Sequence, residues 1–228
     1  HLVQMFAQSG FDAIMVDMEH GSIDIESCYT LITATRGTGA TPLVRVPENE
    51  PWIVKRALDA GAKGIFFPMI KNREEAERAV RSVKYPPLGE RGWGPFQTQY
   101  QWDVGMFEYS KIADDNIAVI ILIEHPLAIE NLDHILSVPG IDCAAVVPFD
   151  LAVNMGYRDG PGHLDVQDAI AAASEKIQAG GIPLAGLATT PEQANRMIDN
   201  GFRLIALGFD ATFIPQAIAG VLGQIKRQ

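Results

Sequence analysis

Short runs of apolar and β-branched residues alternate along this chain with stretches of helical length. This alternation predicts repeated strand and helix units around a parallel sheet. The strand candidates are residues 13–18, 42–46, 64–69, 117–123, 143–147, 183–187 and 203–207. Because they are evenly spaced and none precedes a Gly-x-Gly-x-x-Gly motif, we expect a (β/α)8 (TIM) barrel rather than an open doubly wound sheet.

Seven strand candidates are one short of a closed eight-stranded barrel. The chain opens with His1-Leu2-Val3-Gln4-Met5-Phe6, which is typical of a helix already under way. We therefore expect a first strand ahead of these residues. The length of 228 residues suits one barrel domain, residues 1–228.

Helix boundaries are also indicated in the sequence. Thr190 and Pro191 form an N-cap and first helical position, and Asn49-Glu50-Pro51 opens another helix in the same way. We expect left-handed C-terminal residues at Gly61, Gly180 and Gly201. By contrast, segment 85–115 is rich in proline, glycine and aromatic residues, and we expect it to be an irregular loop. Such a loop is either functional, as a lid or a subunit contact, or has a structural role only.

The charge balance limits the classes of partner. With 28 acidic and 18 basic residues the formal net charge is −10, which argues against nucleic acid but not against a small anionic substrate. The sequence contains two cysteines without metal-ligand or redox spacing, so we expect a cytoplasmic protein. No apolar run reaches the roughly 18 residues of a membrane span, so we expect no membrane contact.

Polar residues collect where the predicted strands end, which is the edge that carries the active site in barrels of this kind. They are Asp17, Glu19, His20, Arg45, Glu124, His125 and Asp150. Together they offer hard oxygen ligands, a guanidinium and an imidazole, and their convergence favours a functional site.

Each of these residues also has a structural interpretation. Asp150 is equally well placed to be a helix N-cap. Glu124 follows an apolar run and needs a partner, which is either a cation or a basic side chain such as Arg45 or Lys63. Arg45 is either an inward-pointing charge or an exposed strand end. His20 is equally consistent with an ordinary loop histidine.

Ordered motifs occur along the whole chain. The first is the string Phe11-Asp12-Ala13-Ile14-Met15-Val16-Asp17-Met18-Glu19-His20-Gly21. It is followed by Leu43-Val44-Arg45-Val46-Pro47, Ala57-Leu58-Asp59-Ala60-Gly61, Phe67-Pro68-Met69, Tyr85-Pro86-Pro87-Leu88-Gly89-Glu90-Arg91-Gly92, Ile123-Glu124, Pro148-Phe149-Asp150-Leu151 and Asn154-Met155-Gly156. The first string resembles the "FDxxxxDxEH" signature of the HpcH/HpaI aldolase family of metal-dependent 2-keto-acid aldolases, and the later motifs match that family in the same order.

The resemblance implies roles for individual residues. It places the ligands of a divalent cation (Mg, Mn or Co) at Glu124 and Asp150. It places the keto-acid-binding arginine at Arg45, the catalytic histidine at His20, and the aspartate that pairs with that histidine at Asp59. Substrate contacts are expected from Arg45, Phe149, Asp150 and Asp17. The resemblance also implies a (β/α)8 barrel, a homo-oligomer (trimer or hexamer) with active sites shared between subunits, and a last helix exchanged between neighbours.

Four positions depart from the family pattern. Leu122 stands where a glutamine is usual, Val147 and Phe149 replace small residues beside Asp150, and Ala152 replaces a serine. These changes predict a more apolar and more crowded pocket floor. Trp93 and Phe96 are interpreted either as lining the acceptor side or as core residues.

The expected function is reversible aldol cleavage and addition between pyruvate or hydroxypyruvate and an aldehyde, through a metal-stabilised enolate. A Schiff-base route through Lys63 or Lys84 is disfavoured, since the metal scheme needs no lysine. Two alternatives stay open. One is a lyase acting on a citryl or malyl thioester, and the other is a non-catalytic barrel that binds a keto acid.

Overall fold

The computed structural model describes residues 1–226 and is built on one sheet of seven parallel strands. The strands lie side by side in the order of the sequence, and each connection between neighbours contains at least one helix. The strands are β1 (Ala13–Asp17), β2 (Thr41–Arg45), β3 (Gly64–Phe67), β4 (Ala118–Ile123), β5 (Cys143–Val146), β6 (Leu184–Ala188) and β7 (Leu204–Leu207).

The helices cover the outer face of the sheet. In chain order they are α1 (Leu2–Gln8), α2 (Ile25–Thr33), α3 (Pro51–Ala60), α4 (Arg73–Val83), α5 (Thr98–Trp102), α6 (Met106–Asn116), α7 (Pro126–Glu130), α8 (Leu132–Leu136), α9 (Pro148–Asn154), α10 (Leu164–Ala179), α11 (Pro191–Asp199) and α12 (Asp210–Leu222). Within residues 1–226, no helix is long and apolar enough to cross a lipid bilayer.

Two apolar layers follow from the alternation of side chains along each strand. The larger layer lies between the sheet and the helices and includes Val44, Ile65 and Ile121. The smaller layer lines the inner face and draws on every strand from β1 to β7. Its members are Ala13, Met15, Leu43, Phe66, Ala118, Ile120, Leu122, Cys143, Ala145, Val147, Ala185 and Leu204. Because both edges of the sheet contribute to this inner layer, the sheet curls around it.

The expected complete barrel is only partly present. Among the described residues the sheet runs from β1 to β7, and those two outer strands do not pair with each other. The structure therefore shows a curled half-barrel with seven strands rather than a closed ring of eight.

The predicted strands are all confirmed, with ends shifted by one or two residues. The largest shift is at β3, which ends at Phe67 because Met69 adopts a left-handed backbone with φ of 55°. The N-cap at Thr190 is confirmed, since its side chain accepts a hydrogen bond from the Gln193 N–H.

Two local predictions were wrong. Segment 85–115 is not a continuous irregular loop, because it contains α5 and most of α6, whose buried Tyr109 and Ala113 anchor it to the core. The left-handed residue after α10 is Gly181, with φ of 74°, and not Gly180, with φ of −72°. Gly61 and Gly201 have positive φ as predicted.

Candidate active site

Asp17 and Arg45 end neighbouring strands and lie opposite each other in the β1–β2 register. The Arg45 Nε donates to Oδ1 of Asp17 at 2.8 Å, and Nη2 donates to Oδ2 at 2.5 Å. The Arg45 side chain is only 12% exposed, so the inward-pointing interpretation is confirmed. Burial alone would raise the pKa of Asp17, but the hydrogen bonds and charge of Arg45 outweigh it and lower the pKa.

A tight turn after β1 presents two further polar side chains. The Asp17 Oδ1 accepts hydrogen bonds from the main-chain N–H groups of Glu19 (3.0 Å) and His20 (3.3 Å). Gly21 closes the turn so tightly that a Cβ there would lie 2.3 Å from the Asp17 carbonyl oxygen. As a result, Glu19 Oε2 lies 3.1 Å from Arg45 Nη1, while the His20 side chain stays exposed.

Glu124 follows β4 and is only 2% exposed. Its Oε1 accepts a hydrogen bond from the Met69 N–H at 2.6 Å, which the left-handed Met69 backbone aims at it. Its main-chain oxygen accepts a hydrogen bond from Asn154 Nδ2 at 2.8 Å. Residues after β3 and in α9 therefore fix the position of Glu124. Lys63, which we considered as a partner for Glu124, instead places its ammonium group over the Trp102 ring.

Glu124 shares its surroundings with other carboxylates. The pKa of Glu124 is raised to about 7, mainly by burial and also by the negative charges of Glu19 and Asp150, while the Met69 N–H and the charge of Arg45 act to lower it. Burial likewise raises the pKa of Glu19, with Asp150 again contributing through its charge. Asp150 lies in the first turn of α9, whose N-cap is Val147, so the interpretation of Asp150 as the N-cap was wrong.

This arrangement fits a divalent cation. Ionised carboxylates held close together in a buried place repel one another, and a hard cation relieves that repulsion through the oxygen ligands it prefers. Within residues 1–226 no group of three or more His, Cys, Asp or Glu side chains is close enough to hold a metal on its own.

Asp59 was predicted to pair with His20, but within residues 1–226 it pairs with Arg91 instead. Its Oδ1 accepts a hydrogen bond from Arg91 Nη2 at 2.9 Å, and Arg91 Nη1 donates to the Tyr109 hydroxyl at 2.9 Å. The Arg91 side chain is fully buried and also lies over the Tyr85 ring. The sequence did not predict the contact between Arg91 and Asp59, because Arg91 was identified there only as part of the family motif at residues 85–92.

The aromatic residues near the site are exposed. Phe149, beside Asp150, is 50% exposed. Trp93 and Phe96 are also exposed, and the Trp93 ring packs against both Phe96 and Phe107, with ring centroids 5.8 and 5.7 Å apart. The interpretation of Trp93 and Phe96 as core residues was therefore wrong.

A polar centre at the carboxyl ends of parallel strands, with buried and partly buried carboxylates near one guanidinium, defines an α/β enzyme with a site suited to anionic substrates. Comparison with known proteins identifies which enzyme class this is. The chain belongs to the HpcH/HpaI aldolase/citrate lyase family, whose profile matches residues 1–217. It is an aldolase, a lyase that breaks and forms carbon–carbon bonds.

Individual relatives support this assignment. The chain is 36% identical over 219 residues to 2-dehydro-3,6-dideoxy-6-sulfogluconate aldolase from Pseudomonas putida, covering 96% of this chain and 85% of that protein. It is 32% identical over 224 residues to hydroxypyruvate/pyruvate aldolase from Roseovarius nubinhibens, covering 98% and 87%. A crystal structure of an HpcH/HpaI aldolase/citrate lyase family protein from Burkholderia cenocepacia superposes with a TM-score of 0.90 at 30% identity, covering 98% of this chain and 89% of that one.

Proposed function

We propose that this aldolase catalyses reversible cleavage and addition between pyruvate or hydroxypyruvate and an aldehyde, with a divalent cation such as Mg, Mn or Co. The observation that carries the proposal is that Arg45, Glu124 and Asp150 lie at or just after the carboxyl ends of β2, β4 and β5 in one parallel sheet, with α9, which contains Asp150, bonded through Asn154 to the Glu124 main-chain oxygen. A relative from Roseovarius nubinhibens named for the same two keto acids supports the choice of donor.

Glu124 and Asp150 are the proposed cation ligands. When bound, the cation would supply Lewis acidity that stabilises negative charge on the donor's oxygens. Glu124 must be ionised to bind it, and burial, together with the neighbouring carboxylates, keeps the pKa of Glu124 high until a positive charge arrives. The Met69 N–H meanwhile fixes one oxygen of Glu124 and leaves the other available.

Arg45 is the proposed donor-binding residue. Asp17 holds it through Nε and Nη2, so the guanidinium is fixed in orientation before substrate arrives. The remaining N–H groups can donate charge-assisted hydrogen bonds to the keto acid and to the negative charge that develops on it. Asp17, which we expected to contact substrate, would then act mainly through Arg45, while Phe149 and Asp150 line the same pocket.

His20 is the proposed proton carrier. In the cleavage direction the bond between C3 and C4 of a 4-hydroxy-2-keto acid breaks, and its electron pair stays with the donor carbon. The C4 hydroxyl loses its proton and becomes the aldehyde, and a proton is then delivered to C3. His20 suits this role because its side chain is exposed at the pocket mouth and able to exchange protons with water.

The proposal extends to the complete barrel and to its assembly with other subunits. We infer a complete (β/α)8 barrel in a cytoplasmic homo-oligomer, a trimer or hexamer, in which an Asp59 from one subunit serves His20 of another. The position of Asp59, away from His20 in its own chain, supports such a shared site. The exposed apolar residues of α12, including Ile218 and Val221, support an exchanged last helix.

The non-catalytic alternative requires Val147 and Phe149 to fill the pocket. The Phe149 side chain is 50% exposed and is therefore not packed into the protein interior, which favours the catalytic interpretation. A Schiff base is also disfavoured, because Lys84 donates to the main-chain oxygen of Asp114 and Lys63 lies over Trp102.

The proposal is tested with protein stripped of metal and resupplied with Mn²⁺, Mg²⁺ or Co²⁺. Pyruvate and hydroxypyruvate are offered with a panel of aldehydes, and aldol product is measured by chromatography. We expect product with at least one cation and none with chelator. His20→Ala should lower turnover while metal content stays unchanged. If no keto acid gives product with any cation, the proposed function is wrong.

A further inference from the structure

Glu19 lies between Arg45 and His20 and has no role in the proposal so far. Its Oε2 is 3.1 Å from Arg45 Nη1 and 3.8 Å from His20 Nε2. The same oxygen is buried and, within residues 1–226, accepts no well-aligned hydrogen bond. This oxygen therefore lies close to both Arg45 and His20 but has a well-aligned hydrogen bond from neither of them.

A buried carboxylate oxygen without a donor is unfavourable, so its neighbours gain by turning an N–H toward it. Arg45 needs little movement for this, because Asp17 already fixes its Nε and Nη2 and leaves Nη1 beside Glu19. His20 has the freedom to move, because 60% of its side chain is exposed. Both groups can therefore close on the same oxygen.

Asp59 does not compete for this position within the chain. Its Oδ1 is occupied by Arg91, and the ion pair that His20 makes within residues 1–226 is with Glu19. Among residues 1–226, the carboxylate that pairs with the His20 imidazole is therefore that of Glu19.

We propose that Glu19 is a positioning residue that joins the donor-binding Arg45 to the proton-carrying His20 within one subunit. The inference rests on the roles given to those two residues in the proposed function. At Arg45, Glu19 holds Nη1 and so completes the orientation that Asp17 begins. At His20, its negative charge favours the imidazolium that forms when the ring takes up a proton.

Two substitutions separate these effects. Glu19→Ala removes both contacts, and we expect the KM for pyruvate to rise and kcat to fall, each by about tenfold for one lost charge-assisted hydrogen bond. Glu19→Gln keeps an oxygen that can accept from Arg45 but has no charge to support an imidazolium. We expect it to recover KM but not kcat. Glu77→Ala, at an exposed glutamate on α4, is the matched control and should change neither constant.

Mn²⁺ affinity, measured by calorimetry on the same proteins, distinguishes positioning from metal binding. We expect Glu19→Ala to bind Mn²⁺ as the wild type does. A loss as large as that of Glu124→Gln would make Glu19 a ligand and overturn the inference. So would normal kinetics in Glu19→Ala, or a Glu19→Gln variant that recovers both constants or neither.

Failure of the proposed function is seen separately, as a wild-type protein without aldol activity. Pyruvate binding to the Mn²⁺-loaded wild type and to Glu19→Ala, again by calorimetry, then tests the contact with Arg45. Weaker binding in the variant supports that contact, and equal binding overturns the inference. Thermal unfolding of both variants establishes that they are folded.

Discussion

Asp17 and Arg45 form a two-point ion pair across adjacent strands, with Nε···Oδ1 and Nη2···Oδ2 distances of 2.8 and 2.5 Å. The planar guanidinium matches the carboxylate at both points, so the orientation of the guanidinium plane is fixed by Asp17. A residue that must present its remaining N–H groups to a small anion benefits from such restraint, because less freedom is lost on binding.

Arg45→Lys should therefore weaken donor binding even though the charge is kept. A lysine ammonium cannot make the two-point contact with Asp17 and also reach Glu19. We expect the KM for pyruvate to rise by about 10- to 100-fold, the equivalent of one or two charge-assisted hydrogen bonds. Steady-state kinetics measures it. Arg73→Lys, at an exposed arginine paired with Glu77, should leave KM unchanged, and an unchanged KM in Arg45→Lys would contradict the assigned role.

Glu124→Gln and Asp150→Asn should abolish cation binding while preserving side-chain size. Each removes one of two proposed ligand charges, and we expect Mn²⁺ affinity to fall by at least about 100-fold. Isothermal calorimetry on metal-stripped protein measures the affinity, and Glu77→Gln is the matched surface control. Tight Mn²⁺ binding by both site variants would mean that the cation binds elsewhere.

The stability of the metal-free protein should depend on pH through Glu124. Burial, together with the charges of Glu19 and Asp150, raises the pKa of this carboxyl from an ordinary 4.5 to about 7. Between those values the folded protein holds more protons than the unfolded chain, so stability falls as pH rises. The stability that the fold has with Glu124 protonated is fully present below pH 4.5 and is lost as pH passes about 7, where Glu124 ionises in the folded protein.

Glu124→Gln removes that titration and serves as the reference. We expect the free energy of unfolding of the wild type, minus that of the variant, to decrease across this window by up to about 1.4 kcal/mol per pH unit. Urea denaturation at several pH values, with chelator present, measures the difference. A difference that grows as pH rises from 4.5 to 7 would show that the carboxylate is stabilised, not penalised, in the fold.

The Asp59–Arg91 ion pair should matter more for stability than an exposed pair of equal length. Asp59→Ala leaves a fully buried guanidinium without its carboxylate, and we expect a loss of about 3 kcal/mol. Asp133→Ala breaks an exposed pair with Lys176 at the same 2.9 Å distance, and we expect a loss below about 1 kcal/mol. Chemical denaturation compares the two variants. Equal losses would contradict a special contribution from burial.

Segment 85–115 shows where sequence patterns were insufficient. Its prolines, glycines and aromatics predicted an irregular loop, yet it contains α5, which buries Thr98, and most of α6, which packs Tyr109 and Ala113 into the core. Helix formation in that segment is decided by tertiary burial, which composition does not reveal. The same holds for the buried Arg91, whose hydrogen-bond partners Tyr109 and Asp59 lie 18 and 32 residues away in sequence.

The sequence by itself determined the seven strands, their parallel arrangement and the edge at which Asp17, Arg45, Glu124 and Asp150 collect, because apolar periodicity and strand ends are local properties. Only the tertiary structure decided which of these groups touch. The Met69 N–H reaches Glu124 across 55 residues of sequence, and Glu19 lies beside Arg45 and within the field of Asp150. Such contacts depend on strand register and on the backbone angles of single turn residues, which set distances to within an ångström and are not encoded in residue type or spacing.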